Sequence, residues 1–343
     1  MELFKNRFSN SFDFLRLAGA VGVIYLHSYH LLKQQHAVAL DQLFQHRINL
    51  TVIMLGIFFT VSGFLIARSV ETSVSLKNYI WKRMLRVQPL LTVVCLLTVF
   101  LIGPLFTETG VGNYFRNRDS WMYLRTILPV FGIQFHLPGV FEHNTGESGV
   151  NGSLWTLIIE ERVYLAMCLL FYVQRSRTTI FMLFVAILNI LYLVNFFKWG
   201  GLNIPWLDKY EAQYFLLFFN GALVYFLKIP LHRINTVTGI LIVAAIYYLT
   251  RNTVWSTLFV LPLLILLIGS RKTIVSAIAK KGDITYGLYV LSFPVQQMLI
   301  YLSENTIRPP VLFLCTLSVC IPLAYLSWHF LEKKILRLRN RIR

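Results

Sequence analysis

The chain has 343 residues, of which 56% are hydrophobic and 14% are charged, whereas a soluble globular protein is roughly 45–50% apolar and about 25% charged. This composition excludes a soluble globular protein and predicts an integral membrane protein. A formal charge of +17 would favour nucleic-acid binding in a soluble protein, but in a membrane protein an excess of Lys and Arg reports orientation. We therefore expect no nucleic-acid partner.

The predicted secondary structure is helical throughout, because a segment that crosses a bilayer must satisfy its own backbone hydrogen bonds. A hydrocarbon core about 30 Å thick requires roughly 20 helical residues. Ten apolar segments approach this length, at residues 12–32, 48–67, 87–103, 154–173, 179–197, 212–227, 236–250, 254–270, 284–303 and 311–331. We predict an all-α, polytopic integral membrane protein whose ten transmembrane helices form a single membrane-embedded domain within residues 1–343.

One further apolar stretch, Leu124–Leu137, is too short to span a bilayer and contains Pro129 and Gly132. We predict that it is a re-entrant or interfacial segment. It lies in the longest loop, Gly103–Ser153, and loops of such length are usually functional.

The distribution of basic residues predicts the orientation of the chain. With ten spans, 21 of the 32 Lys and Arg residues fall on the side of the N-terminus and nine on the opposite side, while Arg16 and Arg162 lie within spans. Because Lys and Arg accumulate in cytoplasmic loops, we expect both termini in the cytoplasm. The basic tail, residues 333–343, can then contact anionic lipid headgroups. All four cysteines lie in apolar segments without a CxxC spacing, so we expect neither disulfides nor a metal site.

The first predicted helix carries three ionisable residues, Asp13, Arg16 and His27. A charged side chain near the bilayer centre costs at least about 2.5–3.5 kcal/mol, so each of them is a candidate functional residue. Helical geometry brings His27 to within about 20° of Arg16, roughly 16 Å away along the helix axis. This polar stripe favours a functional role. An Arg16–Asp13 pair at the helix end, with His27 as a packing residue, also fits the spacing.

A basic cluster, Lys82, Arg83 and Arg86, lies at the predicted cytoplasmic mouth of the third span. Arg83 and Arg86 are neighbours on one helical face, where two guanidinium groups can bind a phosphate. The positive-inside rule alone also accounts for this cluster.

The fourth span contains the consecutive ionisable residues Glu160, Glu161 and Arg162 at predicted membrane depth. Successive residues of a helix point about 100° apart, so the three cannot share a face. We expect at least one of them to face a polar cavity, with Arg162 as the local partner for one carboxylate. A buried ion pair that holds helices together is the alternative.

Six segments, in order from about residue 12 to residue 334, carry a specific resemblance. They are FDFLRLAGAVGVIYLH with Arg16 and His27, IFFTVSGFLI with Ser62 and Gly63, the sequence from Arg83 to Arg86, SLWTLIIEERVYL, GDITYGLYVLSFPV, and SWHFLEKKI. Together they resemble the acyltransferase-3 family of membrane acyltransferases. Two positions depart from the family pattern: Ser292 stands where histidine is frequent, and Arg162 stands where glutamine is common.

The resemblance implies a stand-alone membrane enzyme that transfers an acyl group, usually acetyl, from cytoplasmic acyl-CoA to a hydroxyl of an envelope carbohydrate such as lipopolysaccharide O-antigen or exopolysaccharide. Its location would be the bacterial cytoplasmic (inner) membrane. His27 is then the expected general base, or the nucleophile of an acyl-histidine relay, with Glu160 as its orienting or proton-accepting partner. Arg16, set by Asp13, joins this catalytic group. The residues expected to bind coenzyme A phosphates are Arg83, Arg86, Arg16 and Lys82.

The alternative function is a secondary transporter or flippase for an anionic or sugar substrate, which would also need charged residues within the membrane. Transporters usually contain internal repeats, and none is detectable in this sequence. The enzyme interpretation is therefore favoured.

Overall fold

A computed structural model describes residues 11–35, 38, 49–173, 177–231, 238–239, 253–271 and 282–340. Across these ranges the regular secondary structure is helical, apart from an isolated β-bridge between Thr107 and Val140. The longer helices are α1 (Phe12–His30), α2 (Leu50–Thr72), α3 (Leu76–Leu97), α4 (Trp155–Cys168), α5 (Arg177–Phe196), α6 (Glu211–Phe226), α7 (Leu261–Gly269), α8 (Thr285–Leu302) and α9 (Pro309–Ser327).

Shorter helical turns extend or connect these helices. They lie at Thr98–Ile102, Gly103–Phe106, Val111–Arg116, Arg118–Met122, Tyr123–Ile127, Pro129–Phe131, Gly152–Leu154, Leu169–Phe171, Trp199–Gly201, Pro205–Asp208, Thr253–Trp255, Ser256–Val260, Trp328–Glu332, Lys333–Leu336 and Arg337–Asn340.

Helices coincide with the predicted spans wherever the structure describes the chain, and the prediction at residues 236–250 lies outside the described residues except at 238–239. Within the described ranges, four helices are long and apolar enough to cross a membrane: Leu50–Thr72, Leu76–Phe106, Arg177–Phe196 and Pro309–Arg339. The protein is thus a helical, multi-pass membrane protein. Ten spans and cytoplasmic termini stay predictions.

The helix that contains the third predicted span begins before that span. Helix α3 starts at Leu76 instead of residue 87 and continues through Pro89. The Ser75 hydroxyl accepts a hydrogen bond from the backbone N–H of Asn78 (3.2 Å), which caps this earlier start. Lys, Arg, Met and Leu all favour helix, so the helix extends over the basic residues, and the membrane boundary of the span stays a prediction. The basic cluster therefore lies within the helix.

The chain divides into two compact units, each assembled from three stretches. The first comprises Met1–Gly19, Arg47–Tyr79 and Arg162–Lys281, and the second comprises Ala20–His46, Ile80–Glu161 and Gly282–Arg343. The single membrane-embedded domain stays a prediction.

In the first unit, α2 and α6 approach closely because small residues face the partner backbone. A Cβ atom at Gly63 would collide with the Phe218 carbonyl, and one at Gly221 would collide with the Thr60 carbonyl. The buried Asn220 amide also donates to the carbonyl of Leu258 at 2.8 Å. Pro262, four residues later, has no N–H with which to satisfy that carbonyl.

In the second unit, the loop Gly103–Ser153 is fastened along α8 by side-chain amides. Asn151 Nδ2 donates to the Val290 carbonyl at 2.9 Å, and this carbonyl lacks a helical partner because Pro294 has no N–H. Farther along the helix, Gln297 Nε2 donates to the Gly149 carbonyl at 2.7 Å. The loop is therefore an ordered part of this unit.

The predicted re-entrant or interfacial segment consists of two short 3₁₀ turns, Tyr123–Ile127 and Pro129–Phe131. The second turn ends at Gly132, whose φ of +108° lies in a region that L side chains rarely adopt. Neither turn is long enough to cross a bilayer, as predicted. Its placement in a membrane interface stays a prediction.

Candidate functional site

His27 lies on α1 in the second unit, where its ring meets the ring of Phe293 on α8 in an edge-on contact of 5.2 Å between centroids. Its Nδ1 atom is buried and forms no hydrogen bond with any described residue. Near this contact, Gln296 Nε2 donates to the Ile24 carbonyl at 2.9 Å and to the Ser28 hydroxyl at 2.8 Å. These bonds fix α1 against α8 and hold His27 in place.

Glu161 is used to anchor the long loop. Its Oε1 atom accepts a hydrogen bond from Gln88 Nε2, and its Oε2 atom accepts one from the backbone N–H of Val130, both at 2.7 Å. Arg162 is exposed and forms no ion pair within the described chain. The expected pairing of Arg162 with a neighbouring carboxylate was wrong, because adjacent helical side chains diverge.

Glu160 is half-buried and forms no hydrogen bond with His27, whose interactions across the described residues do not include a carboxylate. It lies close enough to Tyr286 to act electrostatically on that hydroxyl. Tyr286 precedes Phe293 by two turns of α8, or about 10 Å along the axis. Glu160 therefore lies at a different level from the His27 contact, and its role as a partner of His27 stays a prediction.

Arg86 belongs to a largely buried ion cluster. Its Nη2 atom lies 2.6 Å from Asp283 Oδ2, and its Nη1 atom lies 3.6 Å from Glu332 Oε2. The guanidinium also stands over the Tyr286 ring, 5.9 Å from the centroid. Ser327 Oγ donates to Glu332 Oε1 at 2.9 Å and orients that carboxylate. The cluster thus connects α3 with the start of α8 and the end of α9.

The remaining predicted donor-binding residues occupy different places. Arg16 lies on α1 in the first unit, whereas Lys82 and Arg83 lie on α3 in the second, and all three are half-buried. Trp81 Nε1 donates to the Leu338 carbonyl at 3.2 Å, so the basic tail is attached to α3. This contact brings Arg339 within electrostatic range of Lys82.

Comparison with known proteins identifies the family. The model of the family described as an acyltransferase domain matches residues 9–329. The chain belongs to the acyltransferase-3 family. It is 29% identical over 337 residues to an O-acetyl transferase of Shigella phage Sf6, covering 96% of each chain. It is 24% identical over 355 residues to nodulation protein 10 of Rhizobium leguminosarum bv. viciae, covering 96% of this chain and 94% of that protein. No solved structure matches significantly.

For an acyltransferase, three polar residues of the second unit are notable. Ser153 opens the segment SLWTLIIEERVYL, although no role was assigned to it, and Asn151 and Gln296 were not singled out. Asn151, Ser153 and Gln296 are buried, and each has a side-chain oxygen that finds no hydrogen-bond partner in the described part of the structure. Burying an unpaired polar atom is costly, so such atoms require an explanation. An Asn before a helix is normally interpreted as a cap, so the position of Asn151 in the sequence gave no functional signal.

Ser292 occupies the position where the family frequently has histidine. It is buried, and its hydroxyl donates to the Tyr289 carbonyl one turn earlier at 3.3 Å. A hydroxyl bonded within its own helix has no role comparable to that of an imidazole base. The histidine that contacts Phe293 of α8 is His27.

Proposed function

We propose that this acyltransferase moves an acetyl group from cytoplasmic acetyl-CoA to a hydroxyl of an envelope carbohydrate, such as O-antigen or exopolysaccharide, at the bacterial cytoplasmic membrane. The phage relative is named an O-acetyl transferase, and this name supports an acetyl group as the group transferred and an oxygen atom as its acceptor. The observation that carries the chemistry is the buried Nδ1 of His27, which has no hydrogen-bond partner among the described residues and belongs to a ring held against α8.

In the proposed reaction, His27 removes the proton from the acceptor hydroxyl as the hydroxyl oxygen attacks the thioester carbonyl. The carbon–sulfur bond then breaks, and the departing sulfur takes the proton from the imidazolium. Such proton transfer contributes about 10²–10⁴ in rate, or roughly 3–5 kcal/mol. A relay in which His27 itself is acylated uses the same residue and ends with the same products.

The donor requires a cationic site for its phosphates. Arg86 fits this role poorly, because its guanidinium already contacts the carboxylates of Asp283 and Glu332. Lys82 fits better, since Arg83 and Arg339 both repel its ammonium group and a bound phosphate would relieve that repulsion. We propose that this group of three cations holds the coenzyme A phosphates.

A purified preparation supplied with radiolabelled acetyl-CoA tests the function. We expect release or transfer of the acetyl group by the native protein, and loss of this activity in His27→Gln. In cells, deletion of the gene should remove O-acetyl groups from one envelope glycan. Proteoliposomes that move a sugar or an anion without consuming acetyl-CoA would instead support the transporter or flippase.

A further inference from the structure

The helix that begins at Gly152 and continues as α4 lacks the usual side-chain cap. Its N-cap residue, Asn151, forms no capping hydrogen bond, although Asn is among the preferred residues there. Instead, Asn151 Nδ2 donates to the Val290 carbonyl, and its Oδ1 is buried with no partner among the described residues. The first turn is a 3₁₀ turn in which the Trp155 N–H donates to the Gly152 carbonyl, so the N–H groups with no partner within the helix are those of Gly152 and Ser153. They are therefore left without the acceptor that normally satisfies them.

Ser153 adds a second unsatisfied donor at the same helix end. Its side chain is only 1% exposed, and its Oγ has no hydrogen-bond partner in the described structure. The Ser153 carbonyl, by contrast, accepts from the Tyr289 hydroxyl at 3.0 Å and from Thr156 Oγ1 at 3.2 Å. The backbone is thus fixed while the hydroxyl stays available. A buried hydroxyl beside unpaired N–H groups is a site that suits an oxygen anion.

This helix end and His27 contact the same aromatic side chain, Phe293. A Cβ atom at Gly152 would come within 2.7 Å of the Phe293 ring, so only glycine permits this approach. The His27 ring meets the same Phe293 ring edge-on. The candidate base and the unsatisfied helix end therefore flank a single aromatic side chain.

We infer that Ser153 Oγ and the first N–H groups of this helix bind the carbonyl oxygen of the acyl donor, an inference that rests on the proposed function. When the acceptor hydroxyl attacks, the carbonyl π electrons move onto this oxygen, and Ser153 and the N–H groups donate hydrogen bonds to the resulting negative charge. The charge returns to re-form the carbonyl as the carbon–sulfur bond breaks, and the sulfur leaves with the proton from His27. Donors held by a fixed backbone need no rearrangement during this step.

Ser153→Ala tests the assignment. The variant should lower kcat by about 10²–10³, because one donor to the oxyanion is lost, with little change in acetyl-CoA affinity. Ser153→Thr keeps the hydroxyl and should retain most of the activity. Ser120→Ala is a matched control: Ser120 is equally buried in the same unit, but its hydroxyl donates to the Tyr114 carbonyl at 2.6 Å. This control should leave kcat near the native value.

A binding measurement separates a catalytic role from a structural one. Two coenzyme A derivatives carry a ketone in place of the acetyl thioester, one with a methyl group and one with a trifluoromethyl group that forms a tetrahedral hydrate. The native protein should bind the trifluoromethyl ketone at least about 10²-fold more tightly. Ser153→Ala should lose most of this preference, and Ser120→Ala should keep it.

The outcomes are distinguishable. A native protein that turns over acetyl-CoA but shows no preference for the trifluoromethyl ketone would overturn the inference and leave the function intact, even if Ser153→Ala does not fold. Equal kcat values for Ser153→Ala and the native protein would do the same. A native protein without any acetyl-CoA-dependent activity would overturn both.

Discussion

Arg86 and Asp283 form an ion pair of 2.6 Å between residues separated by 197 positions in the sequence. Both side chains are mostly buried, and Glu332 approaches the other side of the guanidinium. These residues come from three of the segments that resemble the family motifs. The fold thus brings those motifs together in one ion cluster. The cluster gives Arg86 a structural role in joining helices, which is distinct from the phosphate contact that its spacing from Arg83 suggested.

Removing Arg86 should therefore destabilise the protein. Arg86→Met removes the guanidinium that contacts the carboxylates of Asp283 and Glu332, and loss of one member of a buried ion pair costs about 3–5 kcal/mol. Thermal unfolding in detergent should show a clear decrease in the melting temperature. Lys77→Met, an exposed position on the same helix, removes the same charge and should have little effect. Equal stability of the two variants would contradict the structural role.

A conservative substitution of Arg83 should lower the affinity for acetyl-CoA. Arg83→Lys keeps the charge but loses the planar, two-pronged geometry, so acetyl-CoA affinity should fall about 10- to 150-fold through loss of a charge-assisted hydrogen bond. The melting temperature should stay near the native value. The native protein should also prefer acetyl-CoA over its 3′-dephospho analogue if Arg83 contacts that phosphate. Unchanged affinity and discrimination in the variant would show that Arg83 does not bind the donor and would leave Lys82 as the next candidate.

The catalytic assignment of His27 predicts that His27→Ala and His27→Gln both lose acyl transfer while remaining folded and inserted. Glutamine preserves a hydrogen-bonding side chain of similar reach but cannot act as a base. His30→Gln provides a control on the same helix, since His30 is exposed. Turnover measured with radiolabelled acetyl-CoA should be near native in the control alone. A glutamine variant of His27 with native turnover would remove His27 from the mechanism.

Apolar segment length was sufficient to predict most of the helices, because crossing a bilayer constrains both composition and length. The family resemblance correctly placed the chain among membrane acyltransferases. The partner of Arg86 could not be predicted, since Asp283 is 197 positions away and no local periodicity reports such a contact. A single sequence likewise gives no sign that Asn151 caps the Val290 carbonyl instead of its own helix.

The partners of the consecutive ionisable residues Glu160, Glu161 and Arg162 on α4 also could not be predicted from the sequence. Sequence adjacency suggested Arg162 as a partner for a carboxylate, whereas the Glu161 carboxylate accepts from Gln88 and from Val130 of the long loop. Hydrogen bonds between distant segments decide which ionisable groups are satisfied, and these bonds depend on the packing of the whole unit. Helical periodicity gives only the direction in which each side chain points.

Because Glu161 anchors the long loop, substitutions of Glu161 and of its neighbour Glu160 should have different effects. Glu161→Gln replaces one accepting oxygen with an NH₂ group that cannot accept from Gln88 Nε2 or Val130 N–H, so the long loop should loosen at a cost of about 1–3 kcal/mol. Limited proteolysis should cut residues 123–132 faster in this variant. Glu160→Gln should leave proteolysis unchanged, and its effect on turnover will report whether Glu160 assists His27. Identical proteolysis of the two variants would argue against the anchoring role of Glu161.

The predicted topology can be tested at two exposed positions, Asn113 in the long loop and Arg339 in the basic tail. Single cysteines are introduced there after the native residues Cys95, Cys168, Cys315 and Cys320 have been replaced by alanine. An odd number of spans between the two sites would place them on opposite sides, as the excess of Lys and Arg on the side of the N-terminus requires. A membrane-impermeant thiol reagent added to intact cells should therefore label Asn113→Cys, and should label Arg339→Cys only after the membrane is permeabilised.

Because Trp81 binds the carbonyl of Leu338, the side on which Arg339 is labelled also gives the side of the Lys82 and Arg83 cations. Labelling of both cysteines from outside would contradict the ten-span topology and would also place the proposed coenzyme A site on the wrong side of the membrane.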